Sequence, residues 1–549
     1  MSGSELLSIW GGGQLMAFSG IDGPTDFDYG LVARTAASGT GIEIVHPGRC
    51  LVHIDDAPPR LAIVSSDYFN VQTAAGRTRG VMLDAHHLLI EGPCLIRNCS
   101  DAIDHVHQGS RTLIRPAAFG GEGATPVAKL PVDLAAADID GAIFRRKRWL
   151  GSLNIPDRLP PATRKTLAKA LSVMKGQVCR PQGVIRHRWT TPDRWPHRGM
   201  WLWDSAFHAI GWRHLNADLA KEMIDAVFDG QQPGGMVPIR TDPAGPTSTT
   251  MTQPPVLALA ASLVDKSSAD PAWISVLYPR LCRCVEWDLA NRDSDGAGLL
   301  EWKIEGDPHC RSGESGMDNS PRFDCGQALD AADFNSYVAL ECETLGKLAL
   351  SMGRTNEARR WNARHARLCG LINKRLWSEN LGIYVDCLAA TGVQSDVMAA
   401  TGFLPLICGA ADEQQALRLE RHLRSPHTFG TPLPVPTIAA SQGQYYSKDM
   451  WRGPVWVNIN WLVAYGLDRY GMHDLAGEIR RRTMAEIEHW YLQLGSIFEF
   501  FDDRRVTPPP QLLRKGRNAP EEGWLHQVIH DFGWSASLYV DMVFQTAGR

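Results

Sequence analysis

The chain has 549 residues and carries 56 Lys and Arg against 60 Asp and Glu, which gives a formal net charge of −4. So small a net charge provides no global basic field for nucleic acid or anionic lipid, and the length exceeds one ordinary hydrophobic core. The composition therefore predicts two domains and a small or neutral partner, with no nucleic acid and no membrane surface.

No segment of the sequence has the pattern of a targeting or membrane-spanning segment. The start of the chain lacks a basic stretch followed by a long apolar one, and no later run approaches about 18 apolar residues. The 12 cysteines include no Cys-x-x-Cys pair, which favours buried free thiols. These patterns predict a cytoplasmic protein.

Short alternating stretches separated by Gly, Pro, Asp and Asn fill the first 130 or so residues. This pattern predicts an antiparallel β-sandwich over residues 1–135. A linker is expected over residues 136–160, because the composition changes near the basic run Arg145–Arg148. We interpret this run as a solvated junction between domains. The predicted strands are 42–45, 50–54, 61–64, 81–83, 88–90 and 95–96.

Beyond residue 160 apolar residues recur at helical spacing, with Asn216 as one candidate N-cap. About ten to twelve helices in roughly 400 residues suit a closed ring of paired helices over residues 161–549, with functional loops at one end. Residues 376–387 depart from this pattern and predict a small hairpin. The predicted helices are 161–171, 217–227, 253–263, 271–289, 329–352, 356–376, 411–423, 455–470, 476–491 and 523–543.

Two acids stand out in the loops of this helical region. Asp318 lies in Glu314-Ser-Gly-Met-Asp-Asn-Ser-Pro321, where Gly, Asn and Pro build a tight, shaped loop. Glu499 lies between Phe498 and Phe500, which exclude water from its surroundings. Two carboxyl groups in such different environments can divide the work of an acid and a base. The plainer alternative for Asp318 is a turn former or a helix N-cap.

Tryptophan is unusually frequent, with 18 residues against 16 Phe and 11 Tyr. Flat rings with one polar edge suit the apolar faces of sugar rings, although Trp is more often a core residue than a ligand platform. Two carboxylates together with exposed indoles would indicate a glycosidase.

Six blocks in this region resemble glycoside hydrolase family 63, in the order that the family shows. The likeness is strongest to bacterial mannosylglycerate and glucosylglycerate hydrolases and weaker to trehalases. It covers roughly residues 195–540, and the first 130 residues take no part in it. The blocks are Trp201-Leu-Trp-Asp-Ser205, Thr252-Gln-Pro-Pro255, Glu314-Ser-Gly-Met-Asp-Asn-Ser-Pro-Arg322, Trp451-Arg-Gly-Pro-Val-Trp-Val-Asn458, Phe498-Glu-Phe500 and Phe532-Gly-Trp-Ser535.

The resemblance implies a mainly α fold, an (α/α)6 barrel preceded here by the β-sandwich, and an inverting mechanism. It implies that Asp318 is the general acid and Glu499 the general base, with carboxyl groups about 6.5–9.5 Å apart. Asp204 resembles the family's sugar-binding Asp, the alternative being a helix N-cap, and Arg452 is equally able to be a structural ion-pair partner. The expected substrate-binding residues are Trp201, Trp203, Asp204, Gln253, Trp451, Arg452 and Trp456.

The sequence departs from the family at Met450, which replaces the Tyr that commonly precedes Trp-Arg-Gly-Pro. The resemblance therefore does not identify the substrate. Residues 293–301 begin like a calcium loop, but Ala297 stands where a third oxygen ligand belongs, so a turn is expected and no metal is predicted. Inverting hydrolysis by two carboxyl groups needs no cofactor. A charged aglycone would require a cation such as Arg311, Arg322 or Arg452.

These observations predict an inverting α-glycosidase that hydrolyses a small α-glucoside or α-mannoside, of the glycosyl-glycerate or α-linked disaccharide type. Its partner would be a small carbohydrate. A glycoside phosphorylase or glucoamylase-like enzyme is the enzymatic alternative, although a phosphorylase would not need Glu499 as a base. A catalytically silent sugar-binding protein is the third reading, and the presence of both acids disfavours it.

Overall fold

The structure is a computed structural model that describes residues 7–117, 134–518 and 527–547. The chain packs into two compact units, one formed by the described parts of residues 1–200, 487–498 and 530–549, the other by those of 201–486 and 499–529. Among the described helices, none has both the length and the apolar character needed to cross a bilayer.

Short strands dominate the first part of the chain, and within the described residues five further short pairings lie among the helices. The strands are β1 Leu15–Ala17, β2 Val32–Thr35, β3 Thr40–His46, β4 Cys50–Asp55, β5 Leu61–Val64, β6 Tyr68–Thr73, β7 Gly76–Met82, β8 Leu88–Glu91, β9 Leu95–Arg97, β10 Ile103–Gln108, β11 Arg111–Pro116, β12 Val178–Cys179, β13 Trp189–Thr190, β14 Met200–Trp201, β15 Arg240–Asp242, β16 Gly245–Pro246, β17 Leu329–Asp330, β18 Trp377–Ser378, β19 Ile383–Tyr384 and β20 Cys387–Leu388.

Helices make up most of the remainder. They are α1 Ile139–Gly151, α2 Pro161–Gln177, α3 Leu202–Trp212, α4 Ala217–Asp229, α5 Leu257–Ser267, α6 Pro271–Asn291, α7 Ala332–Ser351, α8 Thr355–Arg375, α9 Pro405–Cys408, α10 Glu413–Arg424, α11 Val457–Arg469, α12 His473–Leu494 and α13 Gly533–Ala547, with 3-10 turns at Leu134–Ala136, Pro321–Phe323, Ala400–Phe403 and Pro509–Gln511.

Strands β1 to β11 of the first unit form two antiparallel sheets. Their strand orders are β1-β2-β3-β4-β9 and β10-β11-β8-β7-β6-β5. Along β4 buried and half-buried residues alternate, because successive side chains of a strand point to opposite faces. Val52 of the first sheet and Phe69 and Ile90 of the second are fully buried in one apolar core. The prediction of a mainly helical chain preceded by antiparallel sheets is confirmed, and ring closure stays a prediction.

Helix α1 occupies much of the segment that the sequence predicts to be a linker. Asp138 caps it by accepting a hydrogen bond from the backbone N–H of Gly141. The expectation that the basic run is solvated is wrong for Arg146. Its side chain is buried, lies 5.0 Å from the centre of the Phe18 ring and pairs with Asp22 at 3.2 Å. Helical spacing turns one residue of the run inward.

The second unit contains most of the predicted helices at nearly their predicted bounds. Asn216 caps α4 as expected, accepting from the N–H of Leu219, and β18 and β19 form the predicted hairpin around Gly382, whose φ is 70°. Helix α5 begins at Leu257, after the two prolines of Thr252-Gln-Pro-Pro255, which disfavour the helical conformation before them.

The last predicted helix, 523–543, begins later in the structure, at Gly533 in the first unit. Residues 523–526 lie outside the described residues. Asp531 has a φ of 52°, a left-handed conformation that no α-helix contains, so the helix cannot start before it.

Candidate active site

Asp318 lies in a loop that Glu314, the first residue of its motif, fixes from inside the second unit. Glu314 is fully buried. Its carboxylate accepts hydrogen bonds from the backbone N–H groups of Thr252 at 2.9 Å and Lys303 at 2.8 Å, and from Arg292 Nε at 3.1 Å. Because every partner comes from a different part of the chain, Glu314 ties the Asp318 loop to its surroundings.

The same loop lies directly against the indole of Trp203. Gly316 has a φ of 72°, in the left-handed region, and a Cβ atom there would lie 2.3 Å from Trp203 Cζ2. Only glycine meets both conditions at this position.

The residue after Asp318 ties the loop to a third segment. Asn319 Oδ1 accepts a hydrogen bond from the Trp451 N–H at 3.1 Å, and the carbonyl of Asn319 accepts one from Arg452 at 3.1 Å. The structure therefore brings the Asp318 loop together with Trp203 and with Trp451 and Arg452.

Arg322 ends the Asp318 motif in a fully buried ion triad. Its guanidinium donates to Asp333 at 2.7 and 2.9 Å and to Asp386 at 2.7 and 3.1 Å. Trp302 Nε1 donates to the same Asp333 at 2.9 Å. The Arg322 guanidinium therefore has its partners in the protein interior.

Replacing Arg322 by Met should reduce the free energy of unfolding by about 3–5 kcal/mol, because two buried carboxylates lose their shared cation. Urea unfolding followed by fluorescence measures this loss. The matched control is Arg452→Met, which removes a more exposed pair to Asp324 and should cost at most about 1 kcal/mol. Equal losses in the two variants would contradict the role assigned to the triad.

The carboxyl group of Asp318 is paired with a lysine. Asp318 Oδ2 lies 2.6 Å from Lys515 Nζ, and the side chains are 20% and 25% exposed. Burial alone would lower the pKa of Lys515, but the charge of Asp318 reverses this and leaves that pKa above its ordinary value. Burial and the nearby Asp318 charge together raise the pKa of the Cys310 thiol to about 12.

Glu499 is paired with an arginine in a buried environment. Its carboxylate accepts from Arg514 Nε at 2.9 Å and from Nη2 at 3.1 Å, and it also accepts from the Ile529 N–H at 3.2 Å. The side chains of Glu499 and Arg514 are both nearly inaccessible to solvent. Such a two-bond pairing fixes the position and the plane of the carboxylate.

The two cations are consecutive residues in one tight turn. Arg514 and Arg517 exchange backbone hydrogen bonds of 2.8 and 3.3 Å. Lys515 and Gly516 between them have φ values of 56° and 76°, both left-handed, as in a two-residue type I′ turn. Asp449 holds this turn by accepting from the Gly516 N–H at 2.9 Å. The Cα atoms of consecutive residues are about 3.8 Å apart. The cations that pair with Asp318 and Glu499 therefore extend from neighbouring positions in the same turn.

The predicted tryptophans form a buried aromatic cluster. Trp451 and Trp456 stack with ring centres 3.7 Å apart at an angle of 5°. Trp203 lies 6.4 Å from Trp451, and Phe500 lies 4.9 Å from Trp456. Trp201 is less buried and lies 6.0 Å from the guanidinium of Arg240. The cluster reaches from the loop of Asp318 to the residue that follows Glu499.

The remaining predicted contacts lie close to the same loops. Asp204 is buried in the first turn of α3, whose N-cap is Trp201, so Asp204 is not a cap. The side-chain oxygen of Gln253 accepts from the Trp203 N–H at 3.4 Å. Arg452 forms a two-bond ion pair with Asp324, at 3.0 and 2.6 Å, which is the structural role that the sequence left open.

The calcium-like segment forms a turn, as the sequence predicts. Asp295 accepts from the Ala297 N–H at 2.8 Å and Asp293 from the Gly298 N–H at 3.1 Å. Oxygen atoms of Asp293, Asp295 and Glu301 nevertheless lie within 4.8 Å of one another, so this group of carboxylates is able to converge on a cation.

Sequence reasoning missed Arg514, Lys515 and Asp449. The available signal was the sequence Arg514-Lys-Gly-Arg517, in which Lys-Gly favours a tight turn that carries cations. Nothing in the sequence indicated that this turn meets both acids.

Comparison of sequences relates the chain to proteins that hydrolyse glycosidic bonds. A family profile described as the mannosylglycerate hydrolase MGH1-like glycoside hydrolase domain matches residues 196–535. A mannosylglycerate hydrolase of Rubrobacter radiotolerans is 25% identical over 453 residues, which cover 66% of this chain and 95% of that relative.

Solved structures show the same fold at low identity. The GH63 mannosylglycerate hydrolase from Thermus thermophilus, in complex with Tris and D-glycerate, has a TM-score of 0.56 and 22% identity, covering 68% of this chain and 99% of that one. A rhamnosidase from Klebsiella oxytoca with rhamnose bound has a TM-score of 0.50 and 12% identity, covering 99% and 98%. The second similarity extends over the N-terminal sheets.

Proposed function

Because the chain belongs to the family of mannosylglycerate hydrolase MGH1-like glycoside hydrolases, we propose that it is an inverting α-glycosidase. Its substrate is a small α-glucoside or α-mannoside, of the glycosyl-glycerate or α-linked disaccharide type. The relative from Rubrobacter radiotolerans is a mannosylglycerate hydrolase, and this supports the glycosyl-glycerate form of the proposal.

The main observation in support of the proposal is the pair of cations in the turn at residues 514–517. Its consecutive cations pair with Asp318 and with Glu499. Two acids far apart in sequence are thereby held near one small turn, as a mechanism with one acid and one base requires. The two-bond pairing with Arg514 fixes the plane of the Glu499 carboxylate, which suits a base that must be aimed at one water molecule.

In the proposed reaction, Asp318 gives its proton to the glycosidic oxygen while the bond from that oxygen to the anomeric carbon breaks. Glu499 takes a proton from a water molecule, whose oxygen attacks the anomeric carbon from the opposite face. An α-linked substrate therefore yields a β-sugar. Exchange with solvent then returns a proton to Asp318 and removes one from Glu499.

We assign sugar binding to side chains that lie next to these two loops. The aromatic cluster supports this assignment, because it extends from the Gly316 loop to Phe500, the neighbour of Glu499. Asp204 supplies a carboxylate, a strong acceptor for sugar hydroxyls. The assigned residues are Trp201, Trp203, Asp204, Gln253, Trp451, Arg452 and Trp456.

The proposal includes the fold around the site. We propose that the helices close into an (α/α)6 barrel whose loops at one end carry both acids, with the β-sandwich over residues 1–135 and the barrel over 161–549. The fold similarity to the Thermus enzyme supports this arrangement.

Proton NMR of the first sugar released tests the proposed function. We expect a panel of α-linked disaccharides and glycosyl-glycerates to contain one substrate from which the β-anomer appears first, before mutarotation. Initial release of the α-anomer would contradict inversion, and a requirement for phosphate would identify a phosphorylase. Sugar binding without turnover of any member would favour the silent binding protein.

A further inference from the structure

A histidine and two cysteines meet where helix α8 lies beside helix α9, and the proposed hydrolysis uses none of them. His365 and Cys369 are four residues apart on α8, so their side chains are neighbours on one face of the helix. The Nε2 atom of His365 lies 3.3 Å from the sulfur of Cys369. Cys408 ends α9 and is fully buried, whereas His365 and Cys369 are half-buried.

The carbonyl group of Cys408 determines which nitrogen of His365 carries a proton. His365 Nε2 lies 2.9 Å from that carbonyl oxygen, which can only accept a hydrogen bond. Nε2 therefore carries a hydrogen, whether the imidazole is neutral or protonated. The same nitrogen contacts the sulfur of Cys369, so it presents a hydrogen-bond donor that stabilises a thiolate more than a thiol.

The two cysteines have opposite protonation preferences. Hydrogen bonds from the Cys408 thiol and from His365 hold the pKa of Cys369 below its ordinary value, although burial acts in the other direction. Burial raises the pKa of Cys408 well above its ordinary value, so that group stays a thiol. The pair therefore consists of a thiolate-forming cysteine and a protonated cysteine that donates to it.

The other charges around Cys369 favour its thiolate as well. Arg469 of α11 also lowers the pKa of Cys369. The hydrogen bond to Cys369 and the charge of Glu343, which pairs with Arg469 at 2.7 Å, raise the pKa of His365. Burial raises the pKa of three further groups that interact with Cys369, so they stay neutral near pH 7: Cys342, Tyr384 and Tyr470.

A small reagent in solvent can approach Cys369. The next residue, Gly370, is exposed and has no heavy atom of the described residues within 4 Å of the position that a Cβ atom would occupy. Ala366 and Arg367, one turn earlier, are exposed too. Reactive cysteines combine such access with nearby cationic or hydrogen-bonding groups. Because Cys408 is fully buried, a reagent meets Cys369 first.

We propose that Cys369 is a thiol that reacts with hydroperoxides, and that Cys408 then closes a disulfide with it. In the first step the Cys369 thiolate attacks one oxygen of the peroxide. The S–O bond forms, the O–O bond breaks, and the leaving oxygen takes a proton from the protonated imidazole of His365, which leaves a sulfenic acid.

In the second step the sulfur of Cys408 attacks the sulfur of the sulfenic acid. The S–S bond forms and the S–O bond breaks, and the departing hydroxide leaves as water with the proton of the Cys408 thiol. The two cysteines lose two electrons, which the peroxide gains, and hydrogen peroxide yields two molecules of water. Cys408 is placed for this attack, because its thiol already hydrogen-bonds the sulfur of Cys369.

Alkylation by iodoacetamide at about pH 6, followed by peptide mass spectrometry, tests the reactivity of Cys369. An ordinary thiol, with a pKa of about 8.5, is nearly all protonated at this pH. Cys369 should be modified at least about tenfold faster than Cys325, which is exposed and serves as the reference thiol. His365→Gln should remove most of this difference. Modification of Cys369 no faster than that of Cys325 in the wild type would overturn the inference.

Hydrogen peroxide treatment of the full chain tests the disulfide. A digest without reductant should contain a peptide that joins Cys369 to Cys408, and dithiothreitol should separate it. In Cys408→Ser the sulfenic acid should persist at Cys369 and react with dimedone, and in Cys369→Ser residue Cys408 should stay reduced. Cys50→Ser is the matched control, because it removes a buried cysteine from another hydrogen-bonded pair, Cys50–Cys99, and should leave the Cys369–Cys408 disulfide unchanged.

Three results with the wild type would contradict the inference. Cys369 and Cys408 could both stay reduced at a peroxide concentration that oxidises Cys325, or peroxide could join other cysteines in their place. A sulfenic acid at Cys369 that never becomes a disulfide would remove Cys408 from the proposal. Because the wild-type protein gives each of these results, the test does not depend on whether a variant folds.

Discussion

Replacing Asp318 by Asn should lower kcat by about a hundredfold to ten-thousandfold on an α-glycoside with an alcohol leaving group. Asn has nearly the same shape but cannot donate a proton to the departing oxygen, and general acid catalysis contributes about this much. Steady-state kinetics on the natural leaving group measures the loss. With an α-glycosyl fluoride the loss should be much smaller, because fluoride departs with little help from a proton donor.

Asp324→Asn is the control for the Asp318 variant. Asp324 belongs to the same loop and pairs with Arg452 instead of Lys515. Its substitution should change kcat by far less than the substitution of Asp318. If Asp318→Asn lowers kcat only mildly, or lowers it equally for both leaving groups, Asp318 is not the general acid.

Replacing Glu499 by Gln should lower kcat by about a hundredfold or more on both kinds of leaving group, because the attacking water loses its base whichever group departs. The way in which the loss of kcat depends on the leaving group thus distinguishes the role of Asp318 from that of Glu499. Kinetics on the glycoside and on the fluoride, with the same protein preparation, provide the comparison.

The Glu499 variant also needs a folding control, since it leaves the buried Arg514 without an anionic partner. Urea unfolding shows whether the protein remains folded under the assay conditions. If Glu499→Gln is folded and still hydrolyses the glycoside at a rate near that of wild type, Glu499 is not the base.

The family and the helices were predictable because both depend on local patterns. The resemblance drawn from six ordered blocks is confirmed by the profile match over residues 196–535. Helix α4, for example, has a cap and apolar spacing that are visible in the sequence, with Asn216 as the capping residue. The strand pattern around residues 42–97 was visible for the same reason.

What the sequence did not reveal depends on contacts between distant segments. The burial of Arg146 follows from the face of α1 that meets Phe18 and Asp22. The partners of Asp318 and Glu499 come from a turn whose position only the folded chain determines. The sequence therefore predicts the two acids, while the cations that pair with them appear only in the structure.

The pairing of each acid with its own cation has a consequence for how a substrate arrives. Two carboxylates alone would repel an anion over a distance of about 8–10 Å at ordinary ionic strength. Asp318 and Glu499 are balanced by Lys515 and Arg514, so their four formal charges sum to zero and project little net field into solvent. An anionic substrate is therefore neither drawn in nor turned away at long range. The site therefore distinguishes charged from neutral substrates only when they contact it, where dissolved salt screens the interaction between charges least.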